Sequence, residues 1–236
     1  MKAIFFSDVH LDRADTDKKD VLKSFLKEIC YDADDVFVMG DLFEFFYGYR
    51  DYIYPWYKEV VDSLKDLVDK GKKVFFLEGN HEFEIGNSLK SYAGIECYRE
   101  LHIDIEGKRI FLAHGNEFIR NNPLRFLKSR FIYSIMETIG PSLTWKIAML
   151  SSLFLSDRKK PYREEVKQRF RTFAEKRLRD DYDVVIFAHT HMPDRVDFNI
   201  DGNKRLYLNT GDLYRYHSYI KYETNSGFTI EEYHAP

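Results

Sequence analysis

The chain has 236 residues and a formal net charge of −3, with 44% hydrophobic and 32% charged residues. This length and balance predict a globular chain with a substantial buried core and exclude an intrinsically disordered one. The slight negative charge opposes binding through bulk positive charge, so we expect no nucleic-acid partner. No apolar run reaches the roughly 18 residues that a membrane-spanning helix needs. The two cysteines, Cys30 and Cys97, form no CxxC pair. We therefore predict no disulfide framework or thiolate zinc site, and a reducing, cytoplasmic location.

The first half of the chain alternates short apolar runs with amphipathic segments. Apolar runs at Lys2–Ser7, Asp35–Gly40 and Lys73–Leu77 predict buried strands. Hydrophobic residues recur at helical spacing in Asp17–Cys30 and Ile53–Lys70, which predicts helices. Strands that alternate with helices are typical of a parallel sheet with helical crossovers.

The second half of the chain has a different pattern. Short strands joined by turns are predicted in Gly94–Leu112, and helices in Pro123–Asp180. A further buried strand is predicted at Asp183–Ala188. Hairpins are predicted at Val196–Leu208 and Tyr219–Tyr233, because each has a glycine-containing turn at its centre. The sequence therefore predicts a mixed α/β fold with two packed sheets flanked by helices.

Seven candidate metal ligands occupy five short segments, most of which directly follow a predicted strand. The segments are Asp8-Val9-His10, Gly40-Asp41, Gly79-Asn80-His81-Glu82, His114-Gly115 and His189-Thr190-His191. All but the His114 segment are expected in a parallel region, where such side chains converge at the carboxyl edge of the sheet. Asp, Asn and His ligands without thiolate suit Mn²⁺, Fe or Zn²⁺. Seven ligands exceed one tetrahedral site and match two ions that share a bridging carboxylate.

Each segment taken singly also has a purely structural explanation. Asp41 after Gly40 is typical of a turn or a helix cap, and a histidine after a strand is commonly a hydrogen-bonded structural residue. However, five of the eight histidines lie in these segments, and this joint pattern favours a functional site. The remaining three, His102, His217 and His234, are predicted to be structural.

The order D-x-H, GD, GNH[DE], H and [GA]H-x-H resembles the signature of the calcineurin-like metallophosphoesterase superfamily, over most of the chain. The resemblance implies a double β-sandwich flanked by helices, with a dinuclear metal site. The implied ligands are Asp8, His10 and His191 for the first ion, Asn80, His114 and His189 for the second, and Asp41 as the bridge. Ala188 stands where the family usually has glycine, and we expect the backbone to tolerate the added methyl group.

The residues beside the implied ligands also suggest roles in catalysis. Besides the bridging Asp41, His81 is the expected catalytic residue, as a proton donor to the leaving oxygen or a clamp on the phosphate. Both Asn80 and His81 are expected to contact substrate. Glu82 is expected either to orient a histidine ligand or to be a solvated loop charge.

Residues 41–57 are packed with aromatic side chains immediately after the bridging Asp41. A helix that starts in the core explains part of this pattern. The tyrosine and tryptophan side chains exceed what one helix face can bury, which favours a functional surface beside the site. They are Tyr47, Tyr49, Tyr52, Tyr54, Trp56 and Tyr57.

A second substrate-related feature is the apolar stretch between His114 and His189. Two apolar segments separated by Gly140-Pro141 predict a helical hairpin, inserted at 122–160 in a single domain that spans 1–236. The hairpin is either a lid or groove for acyl chains near a membrane surface, or a hairpin packed on the main domain or on another subunit. Basic residues beside it either meet anionic head groups or form a solvated face. Candidate substrate-binding residues in this region are Arg120, Asn122 and Arg158.

Together the aromatic segment and the hairpin resemble a narrower family, the UDP-2,3-diacylglucosamine hydrolases of lipid A synthesis. This resemblance implies a Mn²⁺ enzyme at the inner face of the inner membrane. It would cleave the pyrophosphate of a lipid-linked nucleotide sugar to UMP and an acylated sugar 1-phosphate. Two positions depart from the pattern: many members have GNRD at the segment that contains His81, and an aspartate at Asn116. The departures indicate a divergent branch with altered or broader substrate choice.

Two other functions stay open at this point. One is a general phosphodiesterase or phosphatase that acts on soluble nucleotides. The other is a scaffold that keeps the fold without catalysis, and the retention of all seven ligand positions together with His81 opposes it.

Overall fold

The computed structural model describes residues 1–118, 128–155 and 164–235, with the backbone alone for 151–155. In these ranges the strands are β1 (Lys2–Phe6), β2 (Asp35–Val38), β3 (Phe46–Tyr47), β4 (Lys73–Leu77), β5 (Glu82–Phe83), β6 (Glu96–Tyr98), β7 (Glu100–Ile105), β8 (Lys108–Ala113), β9 (Val184–Phe187), β10 (Pro193–Ile200), β11 (Asn203–Thr210), β12 (Ser218–Glu223) and β13 (Gly227–Glu232). The α-helices are α1 (Thr16–Phe25), α2 (Lys58–Asp69), α3 (Gly86–Ala93), α4 (Arg130–Ile139), α5 (Pro141–Leu155) and α6 (Glu164–Arg179).

The strands form two large sheets and one small one. The first sheet has the order β13-β12-β1-β2-β4-β6, and the second has the order β10-β11-β9-β8-β7. Neighbours β1, β2 and β4 are parallel in the first sheet, as are β8, β9 and β11 in the second. The small sheet pairs β3 with β5. We expected the strand before His114 to lie outside the parallel region. That expectation was wrong, because this strand, β8, runs parallel to β9.

The two sheets pack face to face through an apolar core. Phe5, Phe37 and Phe75 are in register across β1, β2 and β4, and successive rings stack with centroids 4.5 Å and 4.8 Å apart. Residues of the second sheet, such as Ile110 and Ile186, belong to the same buried cluster. Burying each such side chain contributes about 1.5–3 kcal/mol, so this layer fixes how the sheets face each other.

Helices cover the outer face of each sheet. On the first sheet α1 and α2 contribute buried side chains such as Leu22, Phe25 and Leu64. On the second sheet α6 contributes Phe170 and Leu178. This layering of helix, sheet, sheet and helix confirms the predicted double sandwich.

The long helix predicted at Ile53–Lys70 is shorter than expected. It begins only at Lys58, because residues 55–57 form a turn in which the Tyr57 N–H donates to the Tyr54 carbonyl (2.9 Å). Tyr54 precedes Pro55, and a residue before proline is sterically driven away from helical geometry. The predicted hairpins at β10–β11 and β12–β13 are confirmed.

Helices α4 and α5 follow one another with only Gly140 between them, and we call the pair the cap helices. Their inner face packs on the main core through Tyr133, Met136, Trp145, Ala148 and Met149. Their outer face leaves apolar side chains exposed: Phe131, Ile135, Leu143, Ile147 and Leu150. Within the ranges given above, no helix is long and apolar enough to cross a membrane.

Candidate metal centre

All five predicted segments lie in loops that leave the carboxyl ends of parallel strands. They follow β1, β2 and β4 in the first sheet and β8 and β9 in the second. Five of the seven candidate ligands have a left-handed backbone, with φ between +49° and +66°: Asp8, His10, Asp41, His189 and His191. This conformation costs a non-glycine residue about 1–2 kcal/mol. The left-handed conformation recurs at positions that share one edge of the sandwich. Repeated strain at one place indicates that the orientation of these side chains is functional.

Two glycines of the segments are required by close approach. A Cβ atom on Gly40 would lie 2.6 Å from His114 Nδ1, and one on Gly79 would lie 2.1 Å from Asp41 Oδ1. Both distances are far below van der Waals contact. The glycines therefore let the loops after β2 and β4 close around the Asp41 carboxylate.

The first group of ligand atoms contains Asp8, His10 and His191. Asp8 Oδ1 lies 3.8 Å from His10 Nε2 and 3.7 Å from His191 Nε2. Both Asp8 Oδ1 and His10 Nε2 are buried without a hydrogen-bond partner. Orphaned buried polar atoms are costly, and convergent nitrogen and oxygen atoms at these separations fit a cation between them.

The second group contains Asp41, His114 and His189. His114 Nε2 lies 3.2 Å from Asp41 Oδ2 and 3.0 Å from His189 Nδ1. Asp41 Oδ2 also lies 3.8 Å from His10 Nε2, so one carboxylate oxygen faces both groups. Asn80 Oδ1 is a further buried oxygen without a hydrogen-bond partner. The residues present therefore fit two cations that share Asp41.

The charges of three members of this cluster, His10, His189 and Asp41, match what metal ligands require. Burial and neighbouring imidazoles hold the pKa of His10 and His189 well below the usual value, which keeps both rings neutral. Burial acts to raise the pKa of Asp41, but the imidazoles around it, with His114 first, hold it well below its usual range. Burial acts to lower the pKa of His114, and Asp41 outweighs it and raises that pKa to about 9. Asp41 is thus ionised at neutral pH.

Neighbouring groups fix the orientation of several candidate ligands. His114 Nδ1 lies 2.8 Å from the Met39 carbonyl oxygen, which can only accept, so Nδ1 keeps its proton. His114 Nε2 is therefore the nitrogen that would bind a metal, after it gives up the proton that Asp41 stabilises. Asp8 Oδ2 accepts the Ser7 hydroxyl at 2.5 Å and the His189 N–H at 3.0 Å, which leaves Oδ1 facing the first group.

Asp212 is a contributor that the sequence reasoning missed. Its Oδ2 lies 3.3 Å from His191 Nδ1, in the arrangement by which a carboxylate orients a metal-binding imidazole. The signal was present, because Gly211-Asp212 follows the strand β11 just as Gly40-Asp41 follows β2. A second missed carboxylate is Glu44, whose Oε2 lies 3.7 Å from His10 Nδ1.

Glu82 fits neither of its two expected roles. Its side chain is fully buried, so it is not a solvated loop charge. Its carboxylate accepts the backbone N–H groups of Asp41 and Gly79, each at 2.9 Å, and that of Phe43 at 3.2 Å. Burial, followed by the charge of Asp41, raises the pKa of Glu82 to about 7. It therefore ties the loop after β2 to the loop after β4 through their backbones.

His81 lies beside the two groups with one ring nitrogen already used. His81 Nδ1 lies 2.6 Å from the Glu44 carbonyl oxygen, so it donates its proton there and Nε2 remains available. Burial acts to lower the pKa of His81, and the charges of Asp41 and Glu44 outweigh it and raise the pKa. This protonation bias suits a proton donor.

The aromatic segment differs from its predicted form. Most of its rings lie in the core, and only Tyr52 and Trp56 are partly buried. The segment also receives the cap helices: the Tyr49 hydroxyl lies 2.6 Å from Thr144 Oγ1, and the Tyr47 hydroxyl donates to Glu137 at 2.9 Å. The aromatic segment therefore supports the cap helices and does not form an open groove. The candidates Arg120, Asn122 and Arg158 lie outside the described residues.

Comparisons with known proteins identify a matching family and relatives that match over most of their length. The calcineurin-like phosphoesterase family model matches residues 1–193. A relative from Aliivibrio fischeri (strain MJ11), named UDP-2,3-diacylglucosamine hydrolase, is 24% identical over 244 residues, covering 94% of this chain and 95% of the relative. A relative of the same name from Vibrio parahaemolyticus serotype O3:K6 (strain RIMD 2210633) is 26% identical over 239 residues, covering 98% of each.

A solved structure described as a novel archaeal phosphodiesterase has a TM-score of 0.49 and 16% identity, covering 98% of this chain and 99% of that chain. The family assignment comes from the family model, whose match takes in every predicted segment of the site and most of the chain. The chain therefore belongs to the calcineurin-like phosphoesterase family and is a metal-dependent phosphoesterase.

Proposed function

We propose that this phosphoesterase is a dinuclear-metal hydrolase that cleaves the pyrophosphate of a lipid-linked nucleotide sugar similar to UDP-2,3-diacylglucosamine. The products would be UMP and an acylated sugar 1-phosphate. The observation that carries the proposal is the exposed apolar face of the cap helices, which sit on the aromatic segment that begins at Asp41. The names of relatives that match over nearly their whole length support the same substrate class.

The proposed cofactor is a pair of divalent ions, with Mn²⁺ preferred and Fe or Zn²⁺ as the alternatives. The first ion would be held by Asp8, His10 and His191, the second by Asn80, His114 and His189, and both by Asp41. When bound, such a pair activates a water molecule and neutralises charge on phosphoryl oxygens. The orphaned oxygens and nitrogen of Asp8, Asn80 and His10 support this assignment.

In this proposal the chain's own groups position the phosphate and supply the proton. Asn80 and His81 bind a phosphoryl oxygen, and His81 Nε2 donates a proton to the leaving oxygen. The Glu44 carbonyl fixes the tautomer of His81, because it holds the proton of Nδ1. General-acid help of this kind contributes about 10²–10⁴-fold to a rate.

The cap helices are proposed to meet the acyl chains at a membrane surface. Phe131 is 73% exposed and Leu150 is 59% exposed, which is unusual for such large apolar side chains. Each methylene of an acyl chain that they cover would contribute about 0.8 kcal/mol. Arg130 and Lys146 are exposed on the same helices, and their charge suits anionic head groups.

The test compares UMP release by the Mn²⁺-loaded protein from UDP-2,3-diacylglucosamine and from UDP-glucose. We expect the acylated substrate to be cleaved far faster. An Ile147→Ser, Leu150→Ser variant should lose this preference while its rate on UDP-glucose is retained. Tyr31→Ser, at an exposed side chain outside the cap helices, serves as the control. Equal rates on the two substrates would contradict the acyl-chain role and favour a phosphodiesterase for soluble nucleotides.

A further inference from the structure

Two exposed tyrosines lie in the loop between β11 and β12. Tyr214 is 46% exposed and Tyr216 is 41% exposed. In the described part of the chain, the other exposed Phe, Tyr or Trp side chains are Phe131 on the cap helices and Tyr31, at 43%, beyond the π-helical turn that follows α1. The cap helices therefore present mainly aliphatic groups, whereas the β11–β12 loop presents two planar rings.

This loop is tied directly to the candidate metal centre. Asp212, which faces His191 Nδ1 at 3.3 Å, also accepts the backbone N–H groups of Arg215 at 2.5 Å and Tyr216 at 2.8 Å. Leu213, which lies between Asp212 and Tyr214, is buried and anchors the loop in the core. These bonds tie the backbone on the C-terminal side of Tyr214, including that of Tyr216, to a carboxylate that faces a candidate ligand of the first ion.

Lys18 connects Tyr214 to the same group of ligands. Its ammonium lies 5.1 Å from the centroid of the Tyr214 ring and donates to the His10 carbonyl oxygen at 3.0 Å. It also pairs with Asp15 at 3.0 Å. The Lys18 ammonium therefore contacts both the Tyr214 ring and the backbone of His10, and it places a positive charge between the ring and the candidate metal ligands.

We infer that Tyr214 and Tyr216 form the stacking surface for the nucleobase of the substrate, an inference that rests on the nucleotide substrate proposed above. A ribose separates the base from its phosphate, so a base surface should lie beside a metal centre and not within it. Every base offers a planar π-face, and stacking on an aromatic side chain contributes enough to change affinity by about tenfold or more. The Lys18 ammonium is placed to meet oxygens of the ribose phosphate.

The test measures how well UMP and ribose 5-phosphate inhibit hydrolysis of bis(p-nitrophenyl) phosphate by the Mn²⁺-loaded protein. These inhibitors share the phosphate and ribose, so the ratio of their inhibition constants isolates the base. In the unmodified chain, UMP should bind about tenfold more tightly than ribose 5-phosphate. Tyr214→Ala and Tyr216→Ala should each reduce the ratio, and the double variant should bring it near one.

Matched substitutions keep the test specific. Tyr214→Phe and Tyr216→Phe retain the ring and should keep the ratio, as should Tyr31→Ala, which removes an equally exposed ring elsewhere. A wild-type ratio of one, or an unchanged ratio in a double alanine variant that unfolds cooperatively on heating, overturns the inference. A retained ratio without UMP release from the diacyl substrate would refute the lipid-sugar proposal but not the base surface.

Discussion

Replacing Glu82 by glutamine keeps the shape of the side chain and removes its charge. Glu82 is fully buried and accepts three backbone N–H groups, from Asp41, Gly79 and Phe43. Glutamine can turn its one oxygen towards Asp41 and Gly79, but its NH₂ group then faces the Phe43 N–H. The substitution thus weakens two charge-assisted hydrogen bonds and leaves one buried donor unpaired.

The size of the effect follows from these three contacts. Charge-assisted hydrogen bonds contribute about 1.5–3 kcal/mol, neutral ones about 0.5–1.5 kcal/mol, and an unpaired buried donor costs about 1–3 kcal/mol. Burial of the charge opposes this loss, because it raises the pKa of Glu82 to about 7. We therefore expect a net loss of about 2 kcal/mol, which corresponds to about 4–8 °C in melting temperature for a chain of this length.

The assay is thermal unfolding of the metal-free protein at pH 8, where the Glu82 carboxyl is mostly ionised. Glu84→Gln is the matched control, because its side chain is 38% exposed and its cationic partner Arg99 is 3.6 Å away. We expect that control to change stability by less than about 0.5 kcal/mol. A melting temperature of Glu82→Gln within about 1 °C of the unmodified chain would refute the role assigned to this carboxylate.

Four further substitutions test the site and the frame around it. Asp41→Ala should abolish Mn²⁺ binding and bis(p-nitrophenyl) phosphate hydrolysis together, and an active variant would contradict the bridge. His81→Gln should lower kcat by about 10²–10⁴-fold while metal content measured by atomic emission stays unchanged. Asp212→Asn should weaken Mn²⁺ affinity by about 10–100-fold in calorimetry, while the metal-free variant still unfolds cooperatively on heating. Asp194→Asn should cost about 1–3 kcal/mol in urea unfolding at pH 7. Burial acts to raise the pKa of Asp194, but its cationic partners on α6 lower it, so this difference should persist above the unfolded pKa and vanish as pH falls through the lowered one.

The places of the candidate ligand segments in the fold were predictable, because each segment combines a local signal with a strand end. An apolar run followed by Asp-x-His or Gly-Asp is visible without knowing what lies beside it. The order of the segments along the chain then carries the resemblance to the phosphoesterase family. The role of Glu82 was not predictable in this way, because its partners Asp41 and Phe43 are about 40 residues away in sequence and meet it only after β2 and β4 pair.

The aromatic segment shows a different limit of sequence reasoning. Counting its rings against one helix face assumed that the helix began near Ile53, whereas it begins at Lys58. Without that helix, the rings pack in several directions, partly beneath the cap helices. Whether an aromatic side chain of this segment is buried or exposed depends on helices that contact it from 90 or more residues further along the chain. Local periodicity carries no information about those helices.

The loops that carry the candidate ligands are bonded to one another by the protein itself. Beyond the pairing of β1 with β2, the N–H groups of Asp8, His10 and Leu11 donate to the loop after β2, each at 3.0 Å. Glu82 adds the bonds to the loop after β4. Left-handed backbone at five ligand positions costs several kcal/mol in total, and these bonds, with the core beneath, offset it. The ligand geometry is therefore a property of the folded chain, and metal ions would enter a site whose backbone is already in position.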